Sequence, residues 1–242
     1  MILASFGDSF IHGTDLDDCV PGNQEPRILI QRGDDGFSSK KTWPALCAKK
    51  LNYHYECYAH AGIGNQQILE KLIPVIEYHK SNCFYVINWT WIDRFDYIDK
   101  LYDTWQTVRP SLDNKKIDSF YYKYLHSEYQ DKFSTLCIVD HALRLLNQYK
   151  CQFIMTCHDK LLLDEKYHTS DAVTLLQSNI RPYIHYFNNQ NLVDWSKKQN
   201  LEISESGHPL EEAHEKASEY MLSVVNHLLN THAKEDYLHA FK

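Results

Sequence analysis

Four short segments that read as strands, three of them apolar runs and the second alternating, limit what this chain can fold into. They are Met1 to Phe6, Tyr53 to Tyr58, Cys83 to Asn88 and Cys151 to Cys157. The third is apolar or aromatic almost throughout, the signature of a strand covered on both faces. Helical patterns lie between and after the runs. Thr42 to Leu51 has Thr42 as N-cap and Pro44 in the first turn. Gln66 to His79 contains Pro74, which is expected to kink it. Thr135 to Tyr149, a segment within Ser170 to Asn188 ending near Tyr186, and Leu210 to His232 complete the helices. Leu192 to Trp195 reads as a short fifth strand. Strands alternating with helices predict a parallel sheet with helices on both faces, a three-layer α/β/α domain.

The remaining stretches carry weaker signals. His12 to Lys41 reads as a long polar loop with a short strand at Arg27 to Gln31. Residues 89–134 interleave aromatics and charges and break at Arg109-Pro110-Ser111, and they read as a helical cap inserted over one end of the sheet. The expected organisation is one domain over 1–235 and a tail over 236–242.

Composition narrows the function. Lys plus Arg number 25 and Asp plus Glu 32, a formal net charge of −7. Nucleic acid is therefore not an expected partner, because neutralising phosphates needs clustered cations. No CxxC pair occurs among the seven cysteines, so neither a zinc ribbon nor a redox motif is indicated, and no metal is expected. No apolar run approaches bilayer length, and no signal-peptide pattern opens the chain. The expected setting is reducing and cytoplasmic, with a virion or release by lysis also compatible.

In an open parallel sheet the functional crevice lies beyond the carboxyl ends of the strands. Three turns follow predicted strands and should gather there: Gly7-Asp8-Ser9, Ala61-Gly62-Ile63-Gly64-Asn65 and Asn88-Trp89-Thr90. Ser9 can act as a nucleophile if a base takes its proton. The candidate base is His208 in Glu205-Ser206-Gly207-His208-Pro209, since imidazole titrates near neutrality. Glu205 is the candidate acid to orient it. His214, six residues further on, reads as a helix-packing residue.

These blocks resemble those of the SGNH (GDSL-like) hydrolases. Gly7-Asp8-Ser9 is similar to the family's first block, and His60-Ala61-Gly62-Ile63-Gly64 to its second. Glu205-x-x-His208-Pro209 is similar to its fifth, with Glu205 where the family has Asp. The resemblance implies a flavodoxin-like fold, acyl-ester hydrolysis and no cofactor. It also implies an oxyanion hole from the Ser9 and Gly62 N–H groups and a side-chain amide. The family's third block, G-x-N-D, is not present as written. Asn88 is the preferred amide donor. Thr90 is the alternative if Asn88 aligns with the block's glycine, and Asn65 is a third candidate. The Thr42-Trp43-Pro44 helix and Gly62-x-Gly64-Asn65 are also similar to SGNH-like proteins of bacteriophage genomes.

The expected activity is cleavage of short-chain or carbohydrate O-acetyl esters. Trp89, Trp91 and Arg94 would line the substrate pocket, with Arg94 taking an anionic group. The alternative for these three is packing and a surface ion pair with Asp93 or Asp96. A catalytically weak binding or virion-associated protein of the same fold, and an O-acyltransferase, are the alternatives. The expected partner is a small-molecule or glycan ester, and oligomeric state is not set by the sequence.

Overall fold

The computed structural model describes residues 1–19, 37–101, 103–110 and 116–239, with side chains of 231–239 left aside. Its main sheet consists of β1 (Ile2–Phe6), β2 (His54–Cys57), β3 (Cys83–Trp89) and β6 (Gln152–Cys157). Their order is β2-β1-β3-β6, all parallel. Ile184 adds one parallel bridge to Met155 beyond β6.

Period-two alternation divides the strand side chains between two cores. Ala4, Phe6, Tyr85, Ile87, Phe153 and Met155 face one core, with residues of α3 (Asn65–His79), α5 (Glu128–Gln148) and α6 (Asp171–Ile180). Leu3, Phe84, Val86 and Ile154 face the other, with α2 (Trp43–Leu51), α7 (Leu192–Lys198) and α8 (Glu211–His239). This is the three-layer α/β/α arrangement, and double coverage explains why β1, β3 and β6 read as apolar runs, whereas the edge strand β2, with only Cys57 buried, does not. The order in which strands are added reverses around β1. The crossover from β1 to β2 lies on one side and that from β2 to β3 on the other, so the crevice opens where β1 and β3 end.

Local chemistry sets the helix boundaries. Thr42 is the N-cap of α2 and Pro44 sits in its first turn, as expected. Pro74 lies inside α3 without ending it. Ser127 caps α5 by accepting from Gln130 N–H, so this helix starts seven residues before Thr135. α6 stops at Ile180, where a short 3₁₀ turn carrying Pro182 begins, well before Tyr186. α8 continues to His239, through most of the expected tail, whose last three residues lie outside the described ones.

Two assignments are corrected. Leu192 to Trp195 is helical: Asn191 caps it by accepting from Asp194 N–H at 2.8 Å, and Leu192 and Trp195 share an inward face. The stretch 89–134 is not a purely helical cap. It opens with an antiparallel hairpin, β4 (Phe95–Asp99) and β5 (Thr104–Val108), before α4 (Lys116–Tyr124). The hairpin escaped notice because its buried inward position is a carboxylate. Asp96 pairs across the strands with Thr107 and accepts its hydroxyl at 2.7 Å. A polar residue at an inward site erases the alternation that marks a strand. The strand expected at Arg27 to Gln31 lies outside the described residues.

Candidate active site

Ser9 follows β1 as the first residue of α1 (Ser9–His12). Asp8 caps this single turn by accepting from Phe10 N–H at 3.2 Å. Asp8 is fully buried, and burial alone would raise its pKa. The imidazole of His158, the Arg94 guanidinium and the Thr90 hydroxyl override that effect and hold it far below the usual carboxylate range. Arg94 Nη1 lies 3.1 Å from Asp8 Oδ2, Thr90 Oγ1 donates at 2.7 Å, and His158 Nε2 is 3.6 Å from Oδ1, an electrostatic rather than a hydrogen-bonding distance. The turn that carries Ser9 is thereby pinned from behind by a buried charge cluster.

The candidate base arrives from the far end of the sequence. Residues 204–208 close a tight turn through Ser204 N–H to His208 C=O at 2.8 Å and Gly207 N–H to Ser204 C=O at 3.0 Å. His208 Nε2 stands 2.8 Å from Ser9 Oγ. The Phe10 ring meets the imidazole edge-on, with centroids 4.9 Å apart.

The carboxylate at the other ring nitrogen is that of Asp15, not that of Glu205. Asp15 Oδ2 is 2.7 Å from His208 Nδ1. It also accepts from Ser204 Oγ at 2.7 Å and from Ser206 Oγ. Burial works to raise the Asp15 pKa, but these two hydroxyls and the imidazole bring it down to about 2. The reason for the exchange is local. Ser204 and Ser206 both bond the same carboxylate, and Glu205 between them is exposed. Asp15 itself has φ +75°, a left-handed conformation that Asp tolerates better than most residues and that recurs at functional positions. With a proton on Nδ1 shared with Asp15, Nε2 presents its lone pair to the Ser9 hydroxyl.

The three candidate oxyanion side chains differ in what they already bind. Asn65 is fully engaged: Oδ1 accepts from Thr90 N–H at 2.9 Å, and Nδ2 donates to the carbonyls of Thr90 and Trp91, each at 3.3 Å. Thr90 gives its hydroxyl to Asp8. Asn88 accepts from Thr156 Oγ1 at 2.7 Å, while its buried Nδ2 has no acceptor among the described residues. Asn88 Cβ lies 3.2 Å from where a Cβ on Gly7 would stand, beside the nucleophile turn. Gly62 is brought to the same edge by His60 N–H bonding Gly7 C=O at 3.1 Å, and by Arg94 bridging Asp8 and Ile63 C=O. Its φ of +77° is a conformation in which a side chain is strained.

Two expected substrate contacts are corrected. Trp89 is completely buried in the α3/α5 core and lines no open cleft. Arg94 is engaged by Asp8 and Ile63, and it stacks over Trp91 at 5.0 Å, so its charge is matched within the protein. Its partner is Asp8 rather than Asp93 or Asp96, because α1 and the 62–65 loop both reach it. His214 packs as expected: fully buried, it accepts from Trp43 N–H at 3.1 Å and joins α8 to the start of α2. Sequence reasoning missed Asp15 and the buried His158. The only hint of the first was an acidic cluster, Asp15, Asp17 and Asp18, soon after the nucleophile.

No family model and no curated protein matches this chain. Solved structures with a similar chain path include a member of the lipolytic protein G-D-S-L family from Veillonella parvula, with TM-score 0.49 and 14% identity over 93% of this chain and 97% of that one. A carbohydrate esterase family 2 enzyme with a carbohydrate binding domain, from Corynascus thermopiles (Myceliophthora fergusii), has TM-score 0.48 and 15% identity, covering 95% of this chain and 66% of that one. An acetyl xylan esterase from the rumen bacterium Butyrivibrio proteoclasticus has TM-score 0.45 and 11% identity, covering 95% and 64%.

Proposed function

We propose that this chain is a serine esterase of the SGNH type working by two-step acyl transfer, with Ser9 as nucleophile, His208 as general base and Asp15 as the orienting acid. The observation that carries this reading is the contact of Ser9 Oγ with His208 Nε2 at 2.8 Å, across 199 positions of sequence, with Asp15 at 2.7 Å on the opposite ring nitrogen. In the first step Ser9 Oγ bonds the ester carbonyl carbon and its proton passes to Nε2. The bond to the leaving alkoxide then breaks, and Nε2 returns the proton to it. Water repeats the sequence on the acyl-serine, releasing a carboxylic acid and restoring Ser9.

Asp15 stabilises the imidazolium in each step. The developing oxyanion is met by the N–H groups of Ser9 and Gly62 and by Asn88 Nδ2, the buried donor that has no acceptor among the described residues. Among the three candidate side chains, Asn88 alone can supply a hydrogen bond without giving one up. Short-chain and carbohydrate O-acetyl esters are the proposed substrate class.

A panel of 4-nitrophenyl and sugar acetates tests the reading. The wild type is expected to hydrolyse short-chain members, and Ser9→Ala to reduce turnover to background. An active Ser9→Ala protein would refute it.

A further inference from the structure

The hairpin delivers a cation to the proposed reaction site. β5 ends at Val108, and Arg109 follows it directly. A Cβ on Gly62 would lie 2.8 Å from Arg109 Nη1 and 3.5 Å from its Cζ, so the guanidinium rests against the glycine of the oxyanion loop. This placement is held by Asp96 on the neighbouring strand. Its carboxylate accepts from Gly64 N–H and Gln67 N–H, each at 3.0 Å, and from Gln67 Nε2 and Thr107 Oγ1, each at 2.7 Å. Thr107 lies two residues before Arg109. Three of these hydrogen bonds lock the hairpin to the start of α3 and to the loop that contains Gly62, and the fourth ties its two strands together.

Arg109 and Arg94 stand at the same edge in different states. Arg94 is nearly buried, with an aspartate and a carbonyl on one nitrogen. Arg109 is exposed and, among the described residues, has neither an ion pair nor a hydrogen bond. In a chain with seven more acids than bases, an exposed arginine beside the site loop, with no carboxylate on it among the described residues, is placed to bind an anion. Its planar fork suits a carboxylate or phosphate, which it can bind through two parallel hydrogen bonds.

We infer that Arg109 is a specificity-determining residue that binds a negatively charged group of the substrate, so that the preferred esters carry a carboxylate or phosphate close to the scissile carbonyl. The inference rests on Ser9 being the nucleophile. The competing role for this guanidinium is direct stabilisation of the oxyanion. That role would act equally on charged and neutral esters, whereas anion recognition acts on the charged ones alone.

Two matched ester pairs separate these cases. One pair places charge on the acyl side (4-nitrophenyl hemisuccinate against 4-nitrophenyl butyrate). The other places it on the leaving group (acetyl-4-hydroxybenzoate against phenyl acetate). In at least one pair the wild type is expected to favour the charged member by about tenfold or more in kcat/KM, the scale of one charge-assisted hydrogen bond. Arg109→Gln should bring that ratio towards one through KM, Arg109→Lys should restore part of it, and added salt should weaken it. A wild-type ratio near one in both pairs, or an equal loss on charged and neutral members in Arg109→Gln, overturns the inference. Binding of succinate and 4-hydroxybenzoate to Ser9→Ala, with and without Arg109→Gln, gives a readout that needs no turnover. If no ester is hydrolysed, the esterase reading fails, while this binding comparison still decides whether Arg109 holds an anion.

Discussion

Replacing Asp15 by Asn keeps the shape of the acid but removes its charge from His208. The attraction at stake is that between the carboxylate and the imidazolium formed when Ser9 is deprotonated. At the observed 2.7 Å it is worth ~6 kcal/mol for an effective dielectric of about 20, and ~1.5 kcal/mol for about 80. The Asp15 side chain is 33% exposed and that of His208 13%, so solvent screening places the value in the lower part of that range, about 2–4 kcal/mol. At about 1.4 kcal/mol per factor of ten this is a loss of ~30- to 1,000-fold in kcat. That is smaller than the ~10⁴-fold cost of the same change at a deeply buried triad aspartate. A second feature limits the loss: Ser206 Oγ is also 2.7 Å from Nδ1 and can hold the ring in place. Glu205→Gln is expected to stay within about threefold of wild type, as befits an exposed surface substitution. The assay is steady-state hydrolysis of a neutral 4-nitrophenyl ester, with circular dichroism to verify folding. If Glu205→Gln loses more activity than Asp15→Asn, the assignment of the acid is refuted.

Two further predictions address the hole and the scaffold. Asn88→Ala should lower kcat by ~10²–10³ with little change in KM, since it removes a donor that acts in the transition state. An equal rise in KM with kcat preserved would instead make Asn88 a ground-state contact. His214 has a pKa lowered to about 4 by burial, with a smaller contribution from His208. Its folded value lies below the ordinary 6.5, so its contribution is complete above about pH 6.5 and is lost as pH falls towards 4, about 3 kcal/mol in all. Urea titrations between pH 7.5 and 4.5 should show this fall in the wild type and a shallower one in His214→Gln, which can still accept from Trp43 N–H. Equal slopes would contradict the account.

The main sheet was legible because burial on two faces leaves β1, β3 and β6 as apolar runs and the edge strand β2 shows alternation, and period-two alternation then assigns residues to layers. That Ser9 and His208 would meet was legible because Ser9 follows the first strand and His208 stands at the entrance of the last helix, while Gly62 lies in a turn and Asn88 near the carboxyl end of β3 at the same edge. What stayed hidden has a common physical cause. Asp15 meets His208 across 193 positions through a left-handed backbone and two serine hydroxyls, and no sequence spacing encodes that. The hairpin was masked by Asp96, whose buried carboxylate caps a helix from another element. Arg94 looked available because its partner, Asp8, is 86 residues away. Leu192 to Trp195 has the composition of a strand, and only the Asn191 cap turns it into a helix.

The central claim is that Ser9 is made nucleophilic by His208, and a reactive fluorophosphonate tests it most directly. Intact-mass and peptide analysis should find one adduct per chain, on Ser9, absent in Ser9→Ala and formed far more slowly in His208→Ala. An adduct on another residue, or labelling of Ser9 at the same rate without His208, would contradict the account.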